Sequence, residues 1–165
     1  MEVLDHMGLV LDVGCGLNPR GDVNTDPYLE STHRRRGRGP TLKGNIIQAK
    51  AESMPMFTDR QFDVVRCHQV LEHIEDWKQA LREMWRVTGG HLIVEVPDRR
   101  YLPFPKLNRS PVHVSNFDAV TMRQIIPIVL GTRNFEVTTR YRGMFHKLIP
   151  FPFWPHLVRL DVWRD

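Results

Sequence analysis

Leu9 to Asp26 reads LVLDVGCGLNPRGDVNTD, and the fold of the chain is decided there. Leu9, Val10, Leu11 and Val13 make the short apolar run of a strand covered on both faces. Gly14 and Gly16 punctuate its end. Glycine belongs where the backbone takes dihedrals closed to other residues and where a ligand must approach without meeting a Cβ. Val23 and Asn24 lead into Asp26, whose two acceptor oxygens suit a vicinal diol such as that of a ribose. A buried strand, a glycine turn and a second strand ending in a carboxylate make a nucleoside site at the carboxyl ends of parallel strands.

The missing features narrow the nucleoside. A dinucleotide fingerprint requires a third small residue and a helix N-terminus facing a pyrophosphate. Pro19 occupies that third position, and the residues between Gly16 and Val23 are too few for an ordinary crossover helix. A ligand with a ribose and an adenine but no phosphate loses nothing by this.

LDVGCG, then VNTD, then AESMPMFTDRQFDVVRCHQVLEHI resemble the class I S-adenosylmethionine-dependent methyltransferases, and among them the methyltransferase type 11 group. The likeness runs from about Val10 to Pro97 and rests on three separated motifs in the right order. The close spacing in GCGLNPRGDVNTD resembles a subgroup whose first crossover is shortened to a loop. The resemblance implies an α/β, Rossmann-like, mostly parallel sheet with an antiparallel end, abbreviated at the N-terminus because Met1 to Gly8 is too short for the usual preceding helix. It implies S-adenosylmethionine as cofactor, with Asp12, Gly14, Cys15 and Gly16 along the donor and Asp26 on its ribose. Lys50-Ala51-Glu52 stands where the family has Asp-Ala-Glu. Ala51 can still offer its N–H to the adenine ring; Lys50 cannot accept from the amino group, which leaves Glu52 either as the substitute or simply exposed. FDVVRC resembles the fourth strand, next to the first, so Cys67 and His68 are expected at the methionine end. Asp26-Pro27-Tyr28 looks like part of a D-P-P-Y signature of base-amino methyltransferases, but it follows the second strand instead of the fourth. Amino-methylation of nucleic-acid bases is disfavoured on that ground.

A chain of 165 residues fits one domain and can bury about 70% of its unfolded surface. Cys15 and Cys67 have no metal-type spacing and suit a reducing, cytoplasmic setting. No signal peptide opens the chain, and no apolar run approaches a membrane span. The net charge of +4 equals the contribution of Arg34, Arg35, Arg36 and Arg38, so the basic balance comes from one segment. That segment, in an Arg, Gly and Pro-rich stretch without apolar period, is a solvated loop or an anion clamp.

Further strands are expected at Asn45 to Ala49, Phe62 to Cys67 and His91 to Val96. Trp77, Ala80, Leu81, Met84 and Trp85 recur at helical spacing, which predicts an amphipathic helix over Asp76 to Thr88, ended by Gly89-Gly90. A Pro-rich acceptor-side loop follows Pro97; a second helix is expected from Asp118 to Leu130, bent at Pro127 and stopped by Gly131. The alternating residues at Phe135 to Tyr141 and Val158 to Val162 read as a closing antiparallel pair. Gly143 to His156 between them is rich in Phe, Met and Trp. It can cap a pocket, form a homodimer patch, touch a lipid or fold back as core.

Methyl transfer from a sulfonium is a direct displacement that needs positioning, not a metal or a covalent intermediate. A hydroxyl or protonated amine acceptor also needs a base, for which His113, His73 and His68 are the candidates. The expected acceptor is a small molecule, a sugar or a lipid-linked glycan. Two alternatives stay open: an RNA methyltransferase using Arg34 to Arg38, and a degenerate, non-catalytic cofactor-binding interaction module.

Overall fold

The computed structural model describes residues 8–16, 18–28, 46–98, 113–141 and 156–165. The apolar runs form strands β1 (Val10–Val13), β2 (Val23–Asp26), β3 (Ile46–Gln48) and β4 (Phe62–His68). Helix α1 (Trp77–Val87) passes directly into β5 (Thr88–Pro97); α2 (Ala119–Leu130) precedes β6 (Phe135–Tyr141) and β7 (His156–Trp163). All seven strands join one sheet in the order β3-β2-β1-β4-β5-β7-β6. β1 to β5 pair in parallel, and β7 enters antiparallel between β5 and β6. The expected Rossmann-like plan with an antiparallel end is therefore present. Strand order reverses beside β1, so a crevice opens at the carboxyl ends of β1 and β4, where open α/β sheets bind ligands.

The two faces of the sheet differ. Leu11, Val13, Val65, Cys67, Leu92, Val94, Leu160 and Val162 share one face and pack with Leu81 and Met84 of α1 and Met122 and Ile126 of α2. Truncating Met84, which is fully buried, costs about 2–5 kcal/mol on this account. The opposite face carries Asp12, Arg66, His68, Glu95, Arg159 and Asp161, which register places side by side across β1, β4, β5 and β7. The apolar run at β1 thus reads correctly as buried, while its neighbours present one charged face.

Helix α1 follows the predicted stripe, with Ala80, Leu81, Met84 and Val87 buried, and begins at Asp76, whose side chain accepts the Gln79 N–H at 3.1 Å. Its end differs from expectation. Thr88 is already extended, donates its hydroxyl to Met84 O at 2.7 Å, and opens β5. Gly89 and Gly90 lie inside the strand, not at a left-handed cap. A Cβ at Gly89 would stand 2.8 Å from Arg60 O, and one at Gly90 2.6 Å from Asp63 O. Close backbone approach is what demands glycine there.

The segment after β3 is clamped to α1. Arg86 donates to Phe57 O at 2.9 Å and Met54 O at 3.1 Å and pairs with Glu83, which itself accepts the Met54 N–H at 2.7 Å. This fixes the loop that carries Ala51 and Glu52.

The arginine cluster at Arg34 to Arg38, the Pro-rich stretch 99–112 and the apolar run from Gly143 lie outside the described residues, except that His156 opens β7. Among the described residues no helix is long and apolar enough to cross a membrane.

Candidate functional site

The glycine turn is pinned to β2. Gly14 and Gly16 take φ of 69° and 55°, a region open to glycine at no steric cost. The N–H groups of Gly14 and Cys15 both donate to Thr25 O, at 2.8 and 3.0 Å. A Cβ on Gly14 would stand 2.4 Å from a methyl of Val70, so the glycine also admits the loop that leaves β4. The Gly16 N–H donates to Asp26 Oδ2 and the Tyr28 N–H to Oδ1, each at 2.9 Å. Each carboxylate oxygen keeps a lone pair for a ligand.

Among the described residues no crossover helix joins β1 to β2. Instead the Arg20 N–H donates to Asp12 Oδ2 and the Val10 N–H to Asp22 Oδ2, both at 2.9 Å, which folds the loop back on β1. Burial pushes the Asp12 carboxyl up from its ordinary range, against the Arg20 N–H and the nearby His68, Arg66 and Arg20 charges.

A cavity of about 510 Å³ opens at this point, within the range of small-molecule sites. Of the expected donor residues, Asp12, Gly14, Cys15 and His68 line it, joined by Arg66, Gln69, Glu95 and Arg159. Gly16 in the turn after β1, Asp26 at the carboxyl end of β2, and Ala51 and Glu52 after β3 lie outside its walls. Cys67, expected beside the methionine end, is fully buried in the core on the apolar face. Successive strand residues point to opposite faces, so Cys67 and His68 cannot both face the cavity. Burial raises both thiols, Cys15 to about 11 with help from Asp12 and Asp26. Neither is a thiolate at neutral pH.

His68 Nδ1 lies 3.0 Å from Glu95 Oε2, and Arg159 reaches Glu95 Oε1 at 3.4 Å. His68 Nε2 and Arg66 Nε are buried without a hydrogen-bond partner. Gln69 then turns the chain with a φ of 55°, uncommon for a residue with a side chain. The sequence does not join Glu95, Arg66 and Arg159 in one site, because strand pairing alone brings them together; alternation within each of their strands was the one signal.

The two foremost base candidates do meet. The rings of His73 and His113 contact edge to face with centroids 4.9 Å apart. They lie beyond the cavity lining, on the 3₁₀ turn Leu71–His73 and on the segment before α2. Between them Glu72 is buried, and burial raises its carboxyl. Its carbonyl accepts the N–H groups of Val114 and Ser115 at 2.9 and 3.1 Å.

A family model described as a methyltransferase domain matches residues 22–94. A probable S-adenosylmethionine-dependent methyltransferase of Mycolicibacterium smegmatis is 30% identical over 149 residues, covering 83% of this chain and 55% of that protein. The ubiquinone/menaquinone biosynthesis C-methyltransferase UbiE of Serratia proteamaculans is 36% identical over 75 residues, 44% of this chain and 30% of the relative. The crystal structure of a SAM dependent methyltransferase from Archaeoglobus fulgidus shares the fold, with a TM-score of 0.68 and 15% identity over 94% of this chain and 85% of that one. The chain spans about half the length, or less, of these curated relatives.

Proposed function

The chain belongs to the class I S-adenosylmethionine-dependent methyltransferases, and from that premise we propose that it methylates a small-molecule, sugar or lipid-linked acceptor. The observation that carries this reading is the turn itself: two glycines of positive φ, tied through the Gly16 N–H to a carboxylate that keeps acceptor capacity on both oxygens. The residues fit the donor. Asp26 would take the ribose diol, Ala51 and Glu52 would face adenine, and Gly14, Cys15 and His68 would border the methionine end. Among the described residues of the loop from Gly16 to Asp22 nothing builds a pyrophosphate cradle, since the backbone there turns back on β1.

When bound, S-adenosylmethionine supplies an electrophilic methyl group open to direct displacement. The chain supplies alignment and a proton acceptor. His68 fits that second role, because Glu95 occupies its Nδ1 while Nε2 sits unpartnered in a residue that borders the cavity. His113 and His73 would stand on the acceptor side. A quinone-like ring acceptor, as the name of the Serratia relative suggests for that protein, falls within the proposed small-molecule class.

Calorimetric titration of the full chain with S-adenosylmethionine and S-adenosylhomocysteine tests the reading. Micromolar binding of both is expected, followed by methyl transfer in a screen of phenolic, sugar and lipid-linked acceptors. Absence of binding to either ligand would reject it.

A further inference from the structure

Glu72, His73 and His113 each offer one ligand atom, and these atoms lie within 4.8 Å of one another. His73 Nε2 stands 3.9 Å from Glu72 Oε1, and the two imidazoles are already in contact. Backbone bonds hold the arrangement: Val114 and Ser115 donate to Glu72 O, and Ser115 Oγ donates to Ile74 O at 3.3 Å. His113 is thereby strapped beside the turn that carries its partners.

A second observation is independent of that spacing. Glu72 is only 2% exposed, and its Oε2 has no hydrogen-bond partner. Among the described residues no Arg or Lys pairs with it; the groups beside it are the imidazoles of His73 and His113. A buried carboxylate oxygen without a donor is costly, and a cation is what would satisfy it.

We propose that Glu72, His73 and His113 form a divalent-cation site. Two imidazole nitrogens and one carboxylate suit Zn²⁺ or a similar borderline cation, whereas Mg²⁺ and Ca²⁺ favour all-oxygen sets. Ligand atoms around a tetrahedral ion with bonds of about 2.1 Å sit about 3.4 Å apart. His73 Nε2, 3.9 Å from Glu72 Oε1, stands within about 0.5 Å of that separation. Three protein ligands leave a fourth position for water or for an oxygen of the acceptor. The ion would also tie the loop that leaves β4, whose Val70 packs against Gly14, to the segment that leads into α2. Its role toward an acceptor rests on the methyltransferase reading above; its binding does not.

The test is titration of the chelator-treated full chain with Co²⁺ alone, followed by visible absorption and equilibrium dialysis. One equivalent should bind, with d–d bands and no thiolate charge-transfer band. Glu72→Gln and His113→Ala should each weaken binding at least tenfold while far-ultraviolet circular dichroism stays native. His73→Ala, on a half-exposed ring, replaces Glu72→Gln if that variant does not fold. Absence of saturable uptake, equal uptake by His113→Ala, or a charge-transfer band that places the ion on Cys15 would overturn the site. S-adenosylmethionine titrated into the same samples separates the two readings. Cobalt uptake without donor binding leaves the cation site standing and removes the methyltransferase; donor binding without cobalt uptake removes the cation site alone.

Discussion

The backbone N–H of Gly16 and the carboxylate of Asp26 are joined at 2.9 Å, so the turn after β1 and the end of β2 form one rigid unit. The residue proposed to hold the ribose is thus already oriented before any ligand arrives, which lowers the ordering cost of binding.

Asp26→Ala removes both the acceptor pair and the anchor of the turn. Hydrogen bonds to a charged group contribute about 1.5–3 kcal/mol, so affinity for S-adenosylmethionine should fall about tenfold to a hundredfold by calorimetry. Asp26→Asn, which keeps one acceptor oxygen, should lose less. Unchanged affinity in Asp26→Ala would remove the ribose role.

Glu95 accepts from His68 and Arg159 inside the same polar face. If His68 takes the acceptor proton, His68→Ala should lower the rate of transfer to a hydroxyl or amine acceptor by about a hundredfold or more. Glu95→Gln should lower kcat by a smaller factor, because the ring persists without its orienting carboxylate. Donor affinity should stay near wild type in Glu95→Gln, which keeps the size of the side chain and one acceptor oxygen. A Glu95→Gln loss confined to donor affinity would show that the pair shapes the donor pocket and handles no proton.

Glu83 tests the clamp on the adenine-side loop. The hydrogen bond from Arg86, followed by the Met54 N–H and the Arg86 charge, holds its carboxyl below the ordinary value of 4.5 despite partial burial. A depressed folded pKa gives stability that is present above the unfolded value and is lost as pH falls through the folded one. Thermal melts should therefore show wild type losing stability on acidification below about pH 4.5. Glu83→Gln should be less stable at neutral pH, by about 1 kcal/mol after screening, with a flatter acid limb. Parallel acid limbs in the two proteins would show that the clamp is energetically silent.

The glycine turn, the strand that ends at Asp26, the parallel strands and the stripe of α1 were legible because each is a local pattern: a turn residue at a strand end, an alternation, a helical period. The antiparallel pair was legible for the same reason in FEVTTRY and in the alternating residues of HLVRLDVW. The polar face was not. His68 meets Glu95, and Glu95 meets Arg159, only through a register set by the whole sheet. Cys67 was placed beside the ligand through its position at a strand end, although alternation with His68 assigns the two residues to opposite faces. Glu72 gave no sign of its burial, since a carboxylate in LEHI reads as exposed until the segment before α2 covers it.

Gly89 and Gly90 show where one residue type answers two different needs. A helix stop wants glycine for a left-handed φ, and a strand wants it where another backbone comes too close. The two demands separate by substitution. Asparagine tolerates the left-handed region, so a capping glycine would accept Gly89→Asn at little cost. In the strand, the new Cβ would press on Arg60 O from 2.8 Å, and Gly90→Ala would press on Asp63 O from 2.6 Å. Backbone carbonyls cannot swing aside as a flexible side chain does, so overpacking of about 1–3 kcal/mol is expected for either variant. Denaturant melts should show Gly89→Asn and Gly90→Ala destabilised alike, with unchanged m-values. Gly89→Asn at wild-type stability would mean that β5 starts later and that the chain leaves α1 through a left-handed turn.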